Sequence, residues 1–319
     1  MKIDRYSKSS ITGKEYIIPD QLDDINGIDK FLEANKSKKV IVVQGLGFVG
    51  SVMAIVCANS DYEDYAVIGV DLPTSQSYWK INSINEGIFP VISSDKNVEK
   101  FFKNSIKNNN FYATYDTYAY SKADFIIVDI NLDVHKNDEH VTKDSKINFS
   151  VDLLPFKSAI KSIGEKCKED SLILIETTVP PGSTKIAYEI VKECFHKRGI
   201  KLDKLKMGHS YERVMPGPNY IDSIKNFYRV YSGINDYSAQ HVESFLKTII
   251  STENYPLTRL KNTNATEISK VLENSYRAMN ISFMVEWSRF AEEAGVDIYE
   301  VVNAIRMRPT HKNIMLPGI

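Results

Sequence analysis

The chain has 319 residues, with 40 basic and 41 acidic side chains and a formal net charge of -1 at pH 7. This balance creates no overall field that would attract nucleic acid or an anionic membrane. Hydrophobic residues make up 43% and charged residues 25%, which is the composition of a globular protein of about two domains. No apolar run approaches the roughly 20 residues of a membrane helix, and the start "MKIDRYSKSS" is too polar for a signal peptide.

The three cysteines, Cys57, Cys167 and Cys194, have spacings that fit neither a metal site nor a disulfide framework. Free thiols suit a reducing compartment, so we predict a cytoplasmic protein. The cysteine spacing predicts no bound metal, and the charge balance and hydropathy predict no nucleic-acid or membrane partner. None of the cysteines stands in a glycine-rich turn. We therefore expect each of them to be buried rather than reactive.

Residues 1–37 are predicted to be a polar, irregular N-terminal extension with one short helix between about Gln21 and Asn35. From residue 38 to about 258, apolar runs such as "VIVVQG" and "YAVIGVD" alternate with longer amphipathic segments. Continuous β-branched runs separated by helices are typical of a parallel sheet covered on both faces. The sequence therefore predicts an α/β domain with a Rossmann-like doubly wound parallel sheet.

Further strands of this domain are predicted in "ADFIIVDI" and "SLILIETT". Helices are predicted from about Val49, from Leu153 to Lys168 and from Thr184 to Arg198. Residues 259–319 are predicted to form a small helical region. It contains one long connecting helix of about 28 residues, which Gly295 ends, and a shorter helix from about Asp297 to Met307.

The long helix has apolar residues on two faces. The first face carries Ile268, Leu272, Met279, Phe283 and Phe290. The opposite face begins with Lys270, Asn274 and Arg277 and becomes apolar at Ile281 and Met284. On pattern alone the Lys270 and Asn274 pair indicates a solvated face. A helix that is apolar on both sides must be covered on both sides, however.

The segment "VVQGLGFVG" contains Gly45, Gly47 and Gly50 in the pattern G-x-G-x-x-G, between a strand and a helix. In this context the first glycine makes a tight turn, the second admits a pyrophosphate and the third permits close helix packing. The next strand ends at Asp71, 21 residues after Gly50. A carboxylate there binds an adenosine ribose and repels a 2′-phosphate, which predicts NAD rather than NADP. The alternative is a tight turn followed by a surface aspartate.

Two further loops follow predicted strands. In "ETTVPPGST", Pro180 and Pro181 stop a strand, and Ser183 or Thr184 is expected to cap the next helix. The loop is either part of a ligand crevice or a plain strand exit. In "HSYERVMPGP", the charges beside the turn suit a binding site and a solvated loop equally, and His209 is expected to be structural.

Together these segments resemble the UDP-glucose/GDP-mannose dehydrogenase family. "GLGFVG", "VIGVD", "KINSINEGIFP", "TTVPPGST", "YERVMPG" and "NATEISKVLENSYRAMNISFMVE" stand in the family's order and spacing, from about residue 39 to the last residue. "ERVMPG" is most similar to the N-acetylhexosamine branch, the UDP-N-acetylmannosamine dehydrogenase type. The resemblance implies NAD as the cofactor, a UDP-sugar as the substrate and a homodimer formed through the long helix.

The family oxidises a sugar C6 alcohol to the acid, passing two hydrides to two NAD molecules while a cysteine thiolate holds the aldehyde. By resemblance, Glu212 would position or activate water. Lys270 and Asn274 would stabilise oxyanionic species. Tyr211 and Arg213 would contact the substrate. The cofactor-binding set implied in the same way is Gly45, Gly47, Phe48, Val49, Gly50, Asp71, Thr114 and Thr178.

The chain departs from the family pattern at several positions. Tyr211 stands where the family has proline, and "SSDKN" replaces the Glu-Pro-Gly-Leu that follows "IFP". The family's Val-Pro-Thr-Pro loop reads "VDINLDV" here, and Asn131 is assigned to the threonine position. These changes bear on catalytic geometry.

The sequence stops at "LPGI", where the family continues into a Gly-Gly-x-Cys segment and a sugar-nucleotide domain. The sequence is therefore expected to be the N-terminal, cofactor-binding portion of such an enzyme and to be inactive alone. Other hypotheses are a non-catalytic NAD-binding or dimerisation module, a UDP-glucose 6-dehydrogenase and a β-hydroxyacid dehydrogenase. "YERVMPG" argues against the last of these.

Overall fold

The computed structural model describes residues 6–20, 23–136, 149–214 and 217–318. The chain divides into two compact units, residues 1–267 and 268–319. The strands in the described ranges are β1 (Tyr6–Lys8), β2 (Glu15–Ile17), β3 (Lys39–Gln44), β4 (Tyr65–Val70), β5 (Phe111–Thr114), β6 (Phe125–Val128), β7 (Val134–Lys136), β8 (Phe149–Val151), β9 (Leu172–Ile175), β10 (Lys206–His209), β11 (Val230–Gly233) and β12 (Thr258–Arg259). The helices there are α1 (Ile25–Ala34), α2 (Phe48–Ala58), α3 (Tyr78–Asn85), α4 (Lys96–Lys107), α5 (Leu154–Lys166), α6 (Ser183–Lys197), α7 (Tyr220–Lys225), α8 (Asp236–Leu246), α9 (Thr263–Glu293) and α10 (Ile298–Arg306).

Within the described residues, one large sheet has the strand order β12-β11-β10-β9-β6-β3-β4-β5. The chain runs from β3 outwards to β4 and β5, then returns to β6 on the other side of β3. The direction of winding therefore reverses between β3 and β6, which is the topological switch point of a doubly wound sheet. The predicted fold is confirmed, with one addition: β11 pairs with β10 in the antiparallel sense, so the sheet is mixed.

The β-branched strands are buried on both faces. Along β3, Ile41 and Val43 pack into a core formed with α2, α4 and α8. Val42, which alternates with them, packs into a second core formed with α1, α5 and α6. This alternation follows from the two-residue period of a strand. It explains why β3 and β4 have continuous apolar sequences.

The N-terminal extension is folded in the described ranges, and the prediction that it is irregular was wrong. β1 and β2 form an antiparallel pair, and α1 confirms the predicted short helix. The Ser7 hydroxyl accepts a hydrogen bond from the Trp79 amide of α3 (2.9 Å). The Asp24 carboxylate accepts hydrogen bonds from Tyr112 (2.9 Å) and Thr114 (2.6 Å) of β5. Three-residue strands are too short to produce a periodic signal in the sequence.

The second unit consists of the greater part of α9, then α10 and the segment that follows it. α9 has 31 residues, and its end is marked by Gly295, whose φ is +67° and whose amide binds the Glu292 carbonyl. The predicted apolar face is exposed at every one of its positions, Ile268, Leu272, Met279, Phe283 and Phe290. On the other side, Met284 and Ala291 are buried. No helix in the described parts of the chain combines the length and apolar character needed to cross a membrane.

Candidate cofactor and active site

The glycine-rich loop joins β3 to α2 at the carboxyl edge of the sheet. Gly45 has a φ of +101°, and a Cβ atom there would lie 2.1 Å from the Asp129 carbonyl oxygen, so only glycine fits. A Cβ atom at Gly50 would lie 2.0 Å from the Gly45 oxygen, so the absence of a side chain lets α2 pack closely on the loop. At Gly47, by contrast, the corresponding point lies in open space among the described residues.

This geometry fits the pyrophosphate of a dinucleotide. Gly47 is the N-cap of α2, and the first amide groups of a helix lack intrahelical partners and favour anions. The open space at Gly47 leaves room for a phosphate group next to those amides. The loop can therefore hold the cofactor as the glycine pattern predicts.

Asp71 is the first residue after β4, beside the glycine loop. Its Oδ2 atom accepts a hydrogen bond from the Leu46 amide (3.1 Å), and its Oδ1 atom accepts one from the Leu72 amide (2.7 Å). This places a carboxylate at the β4 side of the crevice, where an adenosine ribose binds in this fold. The Lys80 ammonium lies 3.7 Å from Asp71 Oδ2. Lys80 was not predicted, and its charge offsets part of the repulsion that Asp71 would exert on a 2′-phosphate.

The other residues assigned to the cofactor differ in accessibility. Phe48 is exposed, its ring lies 5.3 Å from that of Tyr220, and its carbonyl accepts a hydrogen bond from the Tyr220 hydroxyl (2.5 Å). Val49 is half-buried, and Thr178 is exposed. Thr114 is buried, and its hydroxyl donates to Asp24 of the N-terminal extension. The roles of these residues in NAD binding stay predictions.

Glu212 follows β10 at the same edge of the sheet as the glycine loop. It is half-buried, and its Oε2 atom accepts a hydrogen bond from the Val214 amide (2.5 Å). Two more carboxyl groups occupy this edge: Asp129 directly follows β6, and Glu176 directly follows β9. Glu176 is fully buried, and its Oε1 atom binds the Arg229 guanidinium at 2.6 Å. We call Asp129, Glu176, Glu212 and Arg229 the carboxylate cluster.

The carboxylate cluster contains three acids and one permanent cation. Burial raises the pKa of Glu176 to about 7; the charge of Arg229 opposes this increase, and the charge of Glu212 adds to it. Burial also raises the pKa of Asp129 well above its ordinary value, and the charges of Glu176 and Glu212 add to this increase. Burial therefore favours the neutral forms of Asp129 and Glu176.

The assigned substrate contacts are Tyr211 and Arg213. Tyr211 is buried, and its hydroxyl accepts a hydrogen bond from the Arg213 guanidinium (3.3 Å). The same guanidinium lies over the Tyr211 and Phe227 rings, 5.6 Å from each centroid. Arg213 is half-buried. These contacts hold the two side chains together, and their contact with a substrate stays a prediction.

Lys270 and Asn274 lie in the second unit, one helical turn apart on α9. Asn274 is exposed, and Lys270 is 8% exposed. Their spacing places both on one face of the helix, as the resemblance requires. Their catalytic role stays a prediction.

Asn131 was assigned to a threonine position, and that assignment was one residue out. Counted from Val128, the last residue of β6, the third position of the loop is Ile130. Asn131 is exposed, and its amide donates to Asp133 Oδ1 at 3.0 Å.

The expected cap of α6 was also wrong. Gly182, with a φ of +95°, is the N-cap, and neither Ser183 nor Thr184 caps the helix with its own side chain. Glu267, at the start of α9, instead accepts hydrogen bonds from the Gly182 amide (2.6 Å) and the Thr184 amide (2.7 Å). Its Oε1 atom also accepts one from the Thr184 hydroxyl (2.6 Å). The hydrogen-bond acceptor for the amides at the start of α6 lies more than 80 positions away in the chain, so the local sequence could not reveal this cap.

All three cysteines are buried, as expected. Burial raises the pKa of Cys57 well above its ordinary value, and the nearby Glu176 and Asp129 charges add to the effect. Burial likewise raises the pKa of Cys167 to about 12 and that of Cys194 above its ordinary value. None of these thiols is therefore a ready nucleophile at neutral pH. His209 is equally structural: it is buried, and its Nδ1 atom is 2.8 Å from the Thr266 hydroxyl.

Sequence reasoning missed most of the carboxylate cluster. Asp129 and Glu176 each follow a parallel strand, and carboxyl groups at that edge were a usable signal. Arg229 carried no such signal, because its partner Glu176 lies 53 residues earlier in the chain.

The doubly wound sheet, the glycine loop and Asp71 define a protein of the NAD-binding Rossmann class. Residues 39–250 match the NAD binding domain of the UDP-glucose/GDP-mannose dehydrogenase family, and residues 264–319 match its central domain. The chain belongs to this family, and NAD is its cofactor.

Among curated relatives, the chain is similar to the UDP-N-acetyl-D-mannosamine dehydrogenase of Methanococcus vannielii. The two are 30% identical over 286 residues, which cover 90% of this chain and 58% of the relative. The enzyme of the same name from Methanococcus maripaludis is 28% identical, with 89% and 58% covered. The chain thus spans less than two thirds of the length of these relatives.

Two solved structures share the fold. The UDP-D-ManNAc dehydrogenase of Pyrococcus horikoshii has a TM-score of 0.71 and 24% identity, with 88% of this chain and 60% of that chain covered. The NDP-N-acetyl-D-galactosaminuronic acid dehydrogenase of Methanosarcina mazei has a TM-score of 0.69 and 23% identity, with 91% and 59% covered.

Proposed function

We propose that residues 39–319 provide the cofactor-binding and connecting parts of an enzyme that oxidises the C6 alcohol of a UDP-sugar to the uronic acid. The relatives named above favour a UDP-N-acetylhexosamine of the mannosamine type as the substrate. The structural observation that carries the proposal is the position of Glu212. It lies at the same edge of the sheet as the glycine loop, and its charge acts on Asp129, which contacts that loop.

Bound NAD would accept the hydride at this edge, and the residues of this chain would handle protons and charge. Glu212 would position or deprotonate the water that completes acid formation. Lys270 and Asn274 would donate hydrogen bonds to oxygen atoms that gain negative charge along the reaction. Tyr211 and Arg213 would hold the sugar nucleotide. The covalent step needs a thiolate, and none of the chain's three buried cysteines provides one.

A homodimer through α9 is part of this proposal. Met279 and Phe290 are each 72% exposed, and Leu272 and Phe283 lie on the same face. Large apolar side chains in a row along a helix are usually covered in the working protein. A second copy of the chain supplies an equivalent apolar surface.

The test uses the enzyme encoded by the complete reading frame that contains these residues. UDP-N-acetylmannosamine and UDP-glucose are offered separately. NADH formation is followed by its absorbance, and the amount of acid product is determined by product analysis. Lys270→Ala and Glu212→Gln should each lower turnover by about 10²–10³-fold, and Lys270→Ala should leave NAD affinity nearly unchanged. Lys197→Ala, at an exposed lysine on α6, is the matched control and should retain full turnover.

Acid formation from neither sugar, or full turnover in both site variants, would contradict the proposal. Residues 1–319 alone should form no acid, because their thiols are buried and hold their protons. Acid production by residues 1–319 would show that the argument about the thiols is wrong.

A further inference from the structure

Asp129 occupies a distinctive place in the cofactor crevice. It is the first residue after β6, on the opposite side of the switch point from Asp71. Its carbonyl oxygen packs against Gly45, and a Cβ atom added at Gly50 would lie 3.2 Å from the Asp129 Cβ atom. A dinucleotide spans the switch point, so if its adenosine lies near Asp71, its nicotinamide half lies on the β6 side. The Asp129 carboxyl group is therefore on the nicotinamide side of the glycine loop.

The side chain of Asp129 is not fully satisfied by the protein. Its Oδ2 atom is buried and has no hydrogen-bond partner among the described residues. Within the same ranges, Oε2 of the fully buried Glu176 and Nε of the nearly buried Arg229 also lack partners. Three unsatisfied polar atoms together at the cofactor edge are uncommon in a folded protein, and they point to a group that binds there.

Three charged groups, which lie beside the ends of β9, β10 and β11, act on Asp129. Glu176 at the end of β9 and Glu212 after β10 oppose its ionisation, whereas Arg229 before β11 favours it. Cys57 on α2 and Tyr220 on α7 also interact with Asp129, and burial raises the pKa of both of these groups, so they remain neutral. The Arg229 guanidinium is already paired with Glu176 at 2.6 Å, so ionisation of Asp129 would add a negative charge that this pair does not balance. Burying that charge without a further cation is unfavourable.

Oxidised NAD supplies such a cation, because its nicotinamide ring is positively charged, whereas the ring of NADH is neutral. We propose that Asp129 is a selectivity residue for the oxidised cofactor: it releases a proton when NAD⁺ binds and keeps that proton when NADH binds. The proton goes to the solvent, and no bond in the cofactor changes. This inference rests on NAD binding alone and does not depend on the substrate proposed above.

The sign of the pH dependence follows from the same argument. The pKa of Asp129 is raised in the free protein and would fall when a cation binds beside it. Between these two values NAD⁺ binding releases a proton, so NAD⁺ affinity rises with pH through that window. The rise is at most about tenfold per pH unit for one proton released. NADH affinity should not change with pH in this way, so the preference for NAD⁺ grows as pH increases.

The experiment is calorimetric titration of this chain with NAD⁺ and with NADH, from about pH 6 to about pH 9, in buffers of different ionisation enthalpy. The unmodified protein should release up to one proton on binding NAD⁺ and none on binding NADH. Asp129→Asn removes the titrating group and keeps its size, so it should abolish both the proton release and the pH dependence of the preference. Glu176→Gln is the matched control: it should keep the release, with the window moved to lower pH.

Equal proton release for both cofactors, or none for NAD⁺, would overturn the inference whether or not the variants fold. Release that persists in Asp129→Asn and disappears in Glu176→Gln would assign the proton to Glu176 and would also overturn it. Thermal unfolding followed by circular dichroism establishes that each variant is folded before it is titrated.

Discussion

Replacing Glu267 with alanine tests how the start of α9 stabilises the first unit. Glu267 is 1% exposed, and its carboxylate accepts three hydrogen bonds from Gly182 and Thr184 at the start of α6. The start of a helix also carries partial positive charge, which a carboxylate stabilises. In the alanine variant, two backbone amides and one hydroxyl would lose their acceptor in a buried place.

The expected loss of stability follows from those contacts. A hydrogen bond to a charged group contributes about 1.5–3 kcal/mol, but three bonds to one carboxylate are not additive. We expect Glu267→Ala to lower the free energy of unfolding by about 3–5 kcal/mol, the usual range when one partner of a buried charged contact is removed. Thr184→Val removes only the hydroxyl contact and should cost about 1–2 kcal/mol.

The assay is denaturant unfolding followed by tryptophan fluorescence. Of the two tryptophans, Trp79 is buried in the first unit and Trp287 lies in the second, so a Trp287→Phe background reports on the first unit alone. Glu193→Gln is the matched control, because Glu193 lies in the first unit, on the helix that Glu267 caps, in an exposed ion pair with Lys197. That change should cost less than about 0.5 kcal/mol.

A Glu267→Ala variant as stable as the Glu193→Gln control would refute the reasoning. So would a Thr184→Val variant that loses more stability than Glu267→Ala, because the hydroxyl is only one of the three donors.

Two further predictions concern the cofactor and the oligomer. Asp71→Ala should weaken NAD binding by about 1–3 kcal/mol through the loss of a charged hydrogen bond. Titration with NAD and NADP checks it, and equal affinity of the unmodified chain for the two would remove Asp71 from its role. Met279→Glu should shift the chain towards the monomer in light scattering over a concentration series, because a charge would enter the apolar face of α9. A monomeric unmodified chain at high micromolar concentration would contradict the proposed dimer.

Local sequence patterns determined most of the sheet. The apolar runs of β3, β4, β6 and β9 and the helices α2, α5 and α6 were predicted within a few residues of their observed ends. Burial on both faces makes such strands continuously apolar, and the period of the helices is distinct from that of strands. The glycine spacing and Asp71 were equally readable, because backbone conformation at Gly45 and close packing at Gly50 restrict the residue type.

Features that depend on contacts between residues far apart in the chain became known only from the tertiary structure. Three such features are the antiparallel pairing of β11 with β10, the ion pair of Glu176 with Arg229 and the cap that Glu267 provides for α6. Their partners lie 23 to 85 positions apart in the chain. No local period encodes them. The burial of Tyr211 and the contact between Asp24 and Thr114 also became visible only when distant segments were brought together. The sequence by itself therefore determined the class of fold and predicted where the cofactor binds, since both depend on residue types that a backbone shape requires. The charge balance at the carboxylate cluster was decided by packing, because a pKa depends on burial and on neighbours that the fold brings together.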